Sequence, residues 1–167
     1  MPLTVKGRLN DQKAHAIFSL SANQTTNIDA GDHIKFDTVH KLVGTGITLD
    51  TSTPYVNTNA SNSIGRFLLK AGRKYRISAV VAPGFSAAGL AQFCAYQADA
   101  GTLEGASASP LSVSHAQNVG STSMSLAIVE PSNDTRYEIR IQVEFSMTSL
   151  VAAASGQPAT YVEVEEL

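Results

Sequence analysis

Charge is scarce in this chain. Only 16% of its 167 residues are Asp, Glu, Lys or Arg, against roughly 25% in an average soluble domain. The formal net charge is -2, which leaves no electrostatic footprint for nucleic acid. Lys70, Arg73, Lys74 and Arg76 do cluster, but around a predicted strand start, as a solvated edge and not a phosphate track. A single cysteine, Cys94, excludes an intramolecular disulfide framework, so stability must come from the core or from assembly. No apolar run approaches the roughly 18 residues of a membrane-spanning helix, and no membrane insertion is expected. Met1 to Lys6 does not follow the basic, apolar, small-residue order of a signal peptide. The expectation is synthesis and folding in a cytoplasm.

Catalytic signatures are equally sparse. There is no Gly-x-Gly-x-x-Gly turn or P-loop, and no Gly-x-Ser-x-Gly elbow. Cys94 has no Cys or His neighbour in sequence and reads as a small buried hydrophobe. His15, His33, His40 and His115 are spread without metal-ligand spacing. His33 and His40 flank Asp32 and Asp37, a pattern open to a surface metal but better read as strand ends. Asp29, Asp32 and Asp50 are open to calcium and read more simply as acids in turns. The expectation is no enzyme, no cofactor and no metal.

What the chain does have is strand. It is 43% hydrophobic, enough for one domain with a sizeable core. From Arg136 to Phe145 the apolar residues Tyr137, Ile139, Ile141, Val143 and Phe145 alternate with polar ones. A period of two marks a strand with one wet face. Residues 75–81 alternate nearly as well. They follow a Gly72 turn and take 64–69 as their hairpin partner. Further strands are predicted at 16–20, 33–36, 46–49, 87–98, 124–128 and 161–164, with an edge strand near 111–113 inside a long loop of 99–121. Pro83-Gly84, the run 130–134 and Gly156-Gln157-Pro158 are read as breaks.

The order of these motifs resembles the C1q/TNF family of jelly rolls. Ala16-Ile17-Phe18-Ser19-Leu20 is similar to that family's opening strand. Ile34-Lys35-Phe36-Asp37-Thr38-Val39 resembles its I-x-FD-x-V segment, and Phe67 to Ile77, with Gly72-Arg73-Lys74-Tyr75, its central Gly-x-Tyr motif. Two departures stand out: Leu69-Lys70 replaces a proline before the central turn, and Tyr161-Val162-Glu163 replaces a C-terminal Phe-x-Gly. The block 67–72 and the ending 161–167 look more like jelly rolls among phage structural genes than like animal C1q domains.

The resemblance implies an all-β antiparallel two-sheet jelly-roll sandwich over 14–167, preceded by an arm of residues 1–13. It implies a homotrimer with aromatic side chains at its interface. The candidates are Phe18, Tyr75, Tyr96, Phe145 and Tyr161, with Tyr75, Tyr161 and Phe145 preferred. The expected role is a virion protein decorating the capsid shell, attached to the major capsid protein or another virion protein through Leu3, Val5, Lys6 and Arg8. Two alternatives stay open. One is a receptor-binding knob that meets host surface glycan through a loop carrying Tyr55, Asn57 and Asn59, where a tyrosine among amides offers a stacking face. The other is a bacterial binding module outside any virus.

Overall fold

Apolar alternation sorts side chains onto two faces, and the apolar face needs a partner layer. The structure, a computed structural model, describes residues 12–50, 65–98, 102–103, 112–116, 122–154 and 156–167. The described residues form strands and no helix: β1 (His15–Ser19), β2 (Thr38–Val43), β3 (Ile47–Asp50), β4 (Arg66–Leu69), β5 (Tyr75–Val81), β6 (Pro83–Gln97), β7 (Thr102–Leu103), β8 (Ser112–Ala116), β9 (Thr122–Val129), β10 (Thr135–Leu150), β11 (Ala153–Ala154), β12 (Gln157–Pro158) and β13 (Tyr161–Glu166).

They make a five-stranded sheet in the order β2-β1-β13-β5-β9 and a six-stranded sheet in the order β3-β4-β10-β6-β7, with β8 also on β6. Every pairing is antiparallel. The strands β1 and β13 lie side by side, β11 and β12 form a separate two-stranded sheet, and the chain changes sheet after β2, β4, β5, β8, β9, β10 and β12. That is a jelly-roll sandwich, as the resemblance implied.

The core lies between the sheets. The five-stranded sheet contributes Phe18, Tyr75, Ile77, Val162 and Val164, and the six-stranded sheet Phe67, Leu69, Phe93, Tyr137, Ile139 and Ile141, all buried. The Phe67 ring lies 6.4 Å from Phe18 on one side and 6.4 Å from Tyr137 on the other, within the range of favourable aromatic pairs. Ala16, Ala79, Ala91, Ala95 and Ala127 are buried among these rings, small enough to let large neighbours interdigitate.

Four expectations need correction. Residues 64–69 and 75–81 are not a hairpin: β4 and β5 belong to different sheets. The connection turns at Gly72, whose φ is +69°, a conformation that suits a residue without Cβ. It is held by Lys70 N donating to Gly46 O, Ala71 N to Asp134 Oδ1 and Gly72 N to Pro131 O. These long-range anchors carry the chain across the core, so Phe67 and Tyr75 enter it from opposite layers.

Residues 33–36 form no strand. A lone bridge joins His33 to Arg140, Ile34 N donates to Ile139 O, and Ile34 and Phe36 are wholly buried. The segment plugs the sandwich, and the strand proper begins at Thr38. Pro83-Gly84 is not a break either. Pro83 opens β6, a position where a missing N–H is tolerated, and the sheet change falls at Ala82, whose N donates to Thr160 Oγ1.

The fourth correction concerns β10. Its register shifts between Ile141 and Val143, so that Ile141 pairs with Phe93 but Val143 with Gln92. The extra residue, Gln142, forms a β-bulge and reverses which face the side chains take as far as Phe145, after which the register shifts again. Tyr137, Ile139 and Ile141 point into the core, whereas Val143 and Phe145 turn outward. Ile141→Ala is expected to cost about 2–5 kcal/mol and Val143→Ala no more than about 0.5 kcal/mol in urea unfolding. Equal losses would mean the bulge is absent.

Candidate functional site

The outer surface of the five-stranded sheet can be read as cross-strand rows. One row runs Val43, His15, Glu165, Arg76, Ile128; the next Lys41, Ile17, Glu163, Ser78, Ser125; the third Ser19, Tyr161, Val80, Ser123. His15 Nε2 lies 2.7 Å from Glu163 Oε1, and Arg76 is paired with Glu165. Charge is thus concentrated in the first two rows, while Tyr161 and Val80 give the third an apolar centre. Ile128, 59% exposed, stands at the β9 edge.

A cavity of about 430 Å³ opens on this surface, lined by Ile17, His40, Gln157, Pro158, Tyr161 and Glu163. His40 is the extra residue of a second bulge, because β1 pairs Ile17 with Lys41 but Phe18 with Val39. Its Nε2 sits 2.7 Å from Ser19 Oγ, and Ser19 is wholly buried. A serine–histidine contact invites comparison with a nucleophile and its base. The buried hydroxyl cannot be reached by a substrate carbonyl, however, so the contact orients the imidazole.

The outer surface of the six-stranded sheet is divided. Toward β3 and β4 it is ionic: Arg66 Nε donates to Glu138 Oε2 at 2.7 Å, Arg140 pairs with the other carboxylate oxygen, and Arg136 Nε donates to Asp50 Oδ2 at 2.6 Å. The Arg140 guanidinium lies 3.7 Å from the centre of the Tyr96 ring, a cation–π contact. Glu138 is wholly buried and Arg66 almost so. Burial pushes the Glu138 carboxyl up in pKa, but His33, Arg66 and Arg140 outweigh it and the net displacement is downward.

Beyond Arg140 the same face exposes large apolar side chains. Phe145, 65% exposed, pairs with Leu90, and Val143 with Gln92. A cavity of about 220 Å³ lies beside them, lined by Gly31, Cys94, Tyr96, Arg140, Ile141 and Gln142. Burial, chiefly, pushes the Cys94 thiol up to about 11, so it carries negligible thiolate at neutral pH.

The preferred interface residues part company. Tyr75 is a correction: it is wholly buried in its own chain, its hydroxyl donating to Gly46 O at 2.9 Å, because β5 directs its odd-numbered residues into the core. Phe18 is likewise buried. Tyr161 and Phe145 do reach the surface, on opposite faces of the sandwich. Leu3, Val5, Lys6, Arg8, Tyr55, Asn57 and Asn59 lie outside the described residues. Among the described residues no three His, Cys, Asp or Glu side chains gather as metal ligands, and no helix is long and apolar enough to cross a membrane. Sequence reasoning missed the His40 cavity. Its residues come from β1, β2, β12 and β13, and a bulge on an edge strand leaves no mark in a single sequence.

No family model matches the chain, and no curated protein matches it. Among solved structures it is similar to the crystal structure of pika GITRL, with 12% identity, 93% of this chain and 95% of that one covered, and a TM-score of 0.40. It is also similar to the PRD1 vertex protein P5, with 12% identity, coverage of 93% and 96%, and a TM-score of 0.41.

The ion cluster predicts an acid response. Because the folded Glu138 pKa lies below its unfolded value, its stabilising contribution is complete above the ordinary glutamate range near about 4.3. That contribution is lost as pH falls through the depressed folded value. Glu138→Gln, which strands two arginines, is expected to lose about 3–5 kcal/mol at neutral pH and to show a flatter decline in acid. Urea titrations at neutral and acid pH compare the two proteins directly.

Proposed function

We propose that the protein is a non-enzymatic virion structural protein, a homotrimer that decorates a capsid shell. The observation that carries this is a jelly roll with two unlike, outward-facing surfaces and no accessible catalytic constellation among the described residues. One surface is the five-stranded sheet with Tyr161, Val80 and Ile128. The other is the uncharged patch of Leu90, Val143 and Phe145. Placement on a virion is supported by the resemblance of 67–72 and 161–167 to jelly rolls of phage structural genes.

Symmetry assigns the two surfaces separate roles. A threefold ring joins two different patches of each subunit, inclined so that the ring closes. Tyr161 and Phe145 look in opposite directions, and opposite faces stack copies into a line. The proposed ring contact then lies on the five-stranded sheet, between the β9 edge with Ile128 and the region of Val80, with the cavity beside Tyr161 left open. Phe145 is left for a virion partner, where an uncharged apolar centre suits a protein surface. A second reading, the receptor-binding knob of a tail fibre or spike, is favoured by one observation: the polar-rimmed cavity beside Tyr161.

Light scattering of the purified protein is expected to give the mass of a trimer, and Ile128→Asp that of a single folded chain. Phe145→Asp should keep the trimer mass while losing co-sedimentation with capsids that lack the protein. Binding to host cells but not to capsids, abolished by free glycan, would replace decoration with the adhesin reading.

A further inference from the structure

The cavity on the five-stranded sheet has the make-up of a ligand site, and its two key polar groups are fixed before any ligand arrives. The bulge in β2 takes His40 out of the strand's alternation, and Ser19, wholly buried, holds its Nε2 at 2.7 Å. Glu163 is held from the neighbouring strand by His15 at 2.7 Å. Bulges beside sites commonly re-aim a side chain in this way, and groups locked by such supporting hydrogen bonds lose little entropy on binding. Around them stand an exposed amide, Gln157, and an apolar floor of Ile17, Pro158 and the Tyr161 ring. The volume of about 430 Å³ falls within the roughly 300–1,000 Å³ usual for small-ligand sites.

The chemistry selects the ligand class. A phosphate or acidic sugar would meet the Glu163 carboxylate, and a cation would have to displace His15 from it, with the positive charge of Lys41 in the adjacent strand pair opposing it. A neutral polyol meets no such opposition. Its hydroxyls can donate to Glu163 and exchange hydrogen bonds with Gln157 and His40 Nδ1, while its carbon face lies on an amphipathic tyrosine. We propose that this cavity binds a neutral sugar ring, with the remainder of the glycan left in solvent. The site is independent of the place of the protein on a virion, and it differs from the Tyr55–Asn59 loop expected from sequence.

The test is saturation-transfer NMR on the full, assembled chain with the methyl glycosides of glucose, galactose and N-acetylglucosamine, and with N-acetylneuraminic acid as the anionic control. At least one neutral glycoside should bind saturably at millimolar concentration. Glu163→Gln should weaken it about tenfold, the loss of one charge-assisted hydrogen bond, and Gln157→Ala by a smaller factor. Both variants should keep the wild-type mass in light scattering. The proposal is overturned if no neutral glycoside binds, if binding ignores both substitutions, or if the anionic sugar binds better. If neither sugar class binds and Glu163→Gln dissociates the assembly, the cavity is a contact between copies. The site is then lost while the assembly reading stands.

Discussion

The pleat commits every strand residue to one of two faces, and a single inserted residue reverses that commitment for all that follow. This parity is the constraint on which the molecule depends. Between Tyr137 and Ile141 it is obeyed, and the apolar residues of β10 enter the core opposite Phe93 and Ala95. At Gln142 it is reversed, and the same alternation then delivers Val143 and Phe145 to solvent. In β2 the extra residue is His40, and the consequence is a fixed imidazole at the rim of a cavity. In β9 the pairing slips between Ile77 and Ser78, past Leu126, before the strand ends beside exposed Ile128. Each surface to which a role has been assigned lies next to one of these irregularities.

Parity governs within a sheet, but the sandwich also requires the chain to leave each sheet at the right place. The crossing from β4 to β5 works because its turn is anchored to distant backbone, at Gly46, Pro131 and Asp134. That brings Phe67 and Tyr75 to opposite layers of one core, and the ring contact of Phe67 with Phe18 ties those layers together, while Tyr137 flanks Phe67 within its own sheet. The crossing at Ala82 is shorter still, and Thr160 satisfies the N–H exposed by the change of direction. Buried backbone donors must find such partners, so sheet changes occur where a partner waits.

The sequence made strands legible where alternation is local and unbroken. β1, β3, β5 and β13 lie close to where Phe18, Leu49, Ile77 and Val164 suggested, and the jelly-roll order of the sheets was implied by the motifs that carry the resemblance. What remained illegible depends on distant residues. Whether Gly72 closes a hairpin or turns a crossover is decided by Pro131 and Asp134, far along the chain. Glu138 occupies a position that alternation marks as wet, yet it is wholly buried, because Arg66 and Arg140 arrive from either side of it. Tyr75 and Tyr161 look alike in sequence, each opening a strand with an aromatic. The first points into the sandwich and the second away from it, since β13 directs its even-numbered residues inward and β5 its odd ones.

Buried ionic groups contribute little net stability, and replacing them with apolar residues is often neutral or favourable. The Glu138 cluster is therefore better understood by what it excludes than by what it stabilises. It lies on the same face as Phe145, and it divides that face into an ionic half, whose charged groups are paired within the chain, and a half that exposes the apolar Val143 and Phe145. A partner approaching the ionic half finds its carboxylates and guanidinium groups engaged with one another. One approaching the other half meets Leu90, Val143 and Phe145, which are cheap to desolvate. Specificity then comes from where desolvation is cheap. In the proposed assembly, the internal pairing of Arg66, Glu138 and Arg140 favours contact on that side of the sandwich at the end that the Gln142 bulge has turned outward.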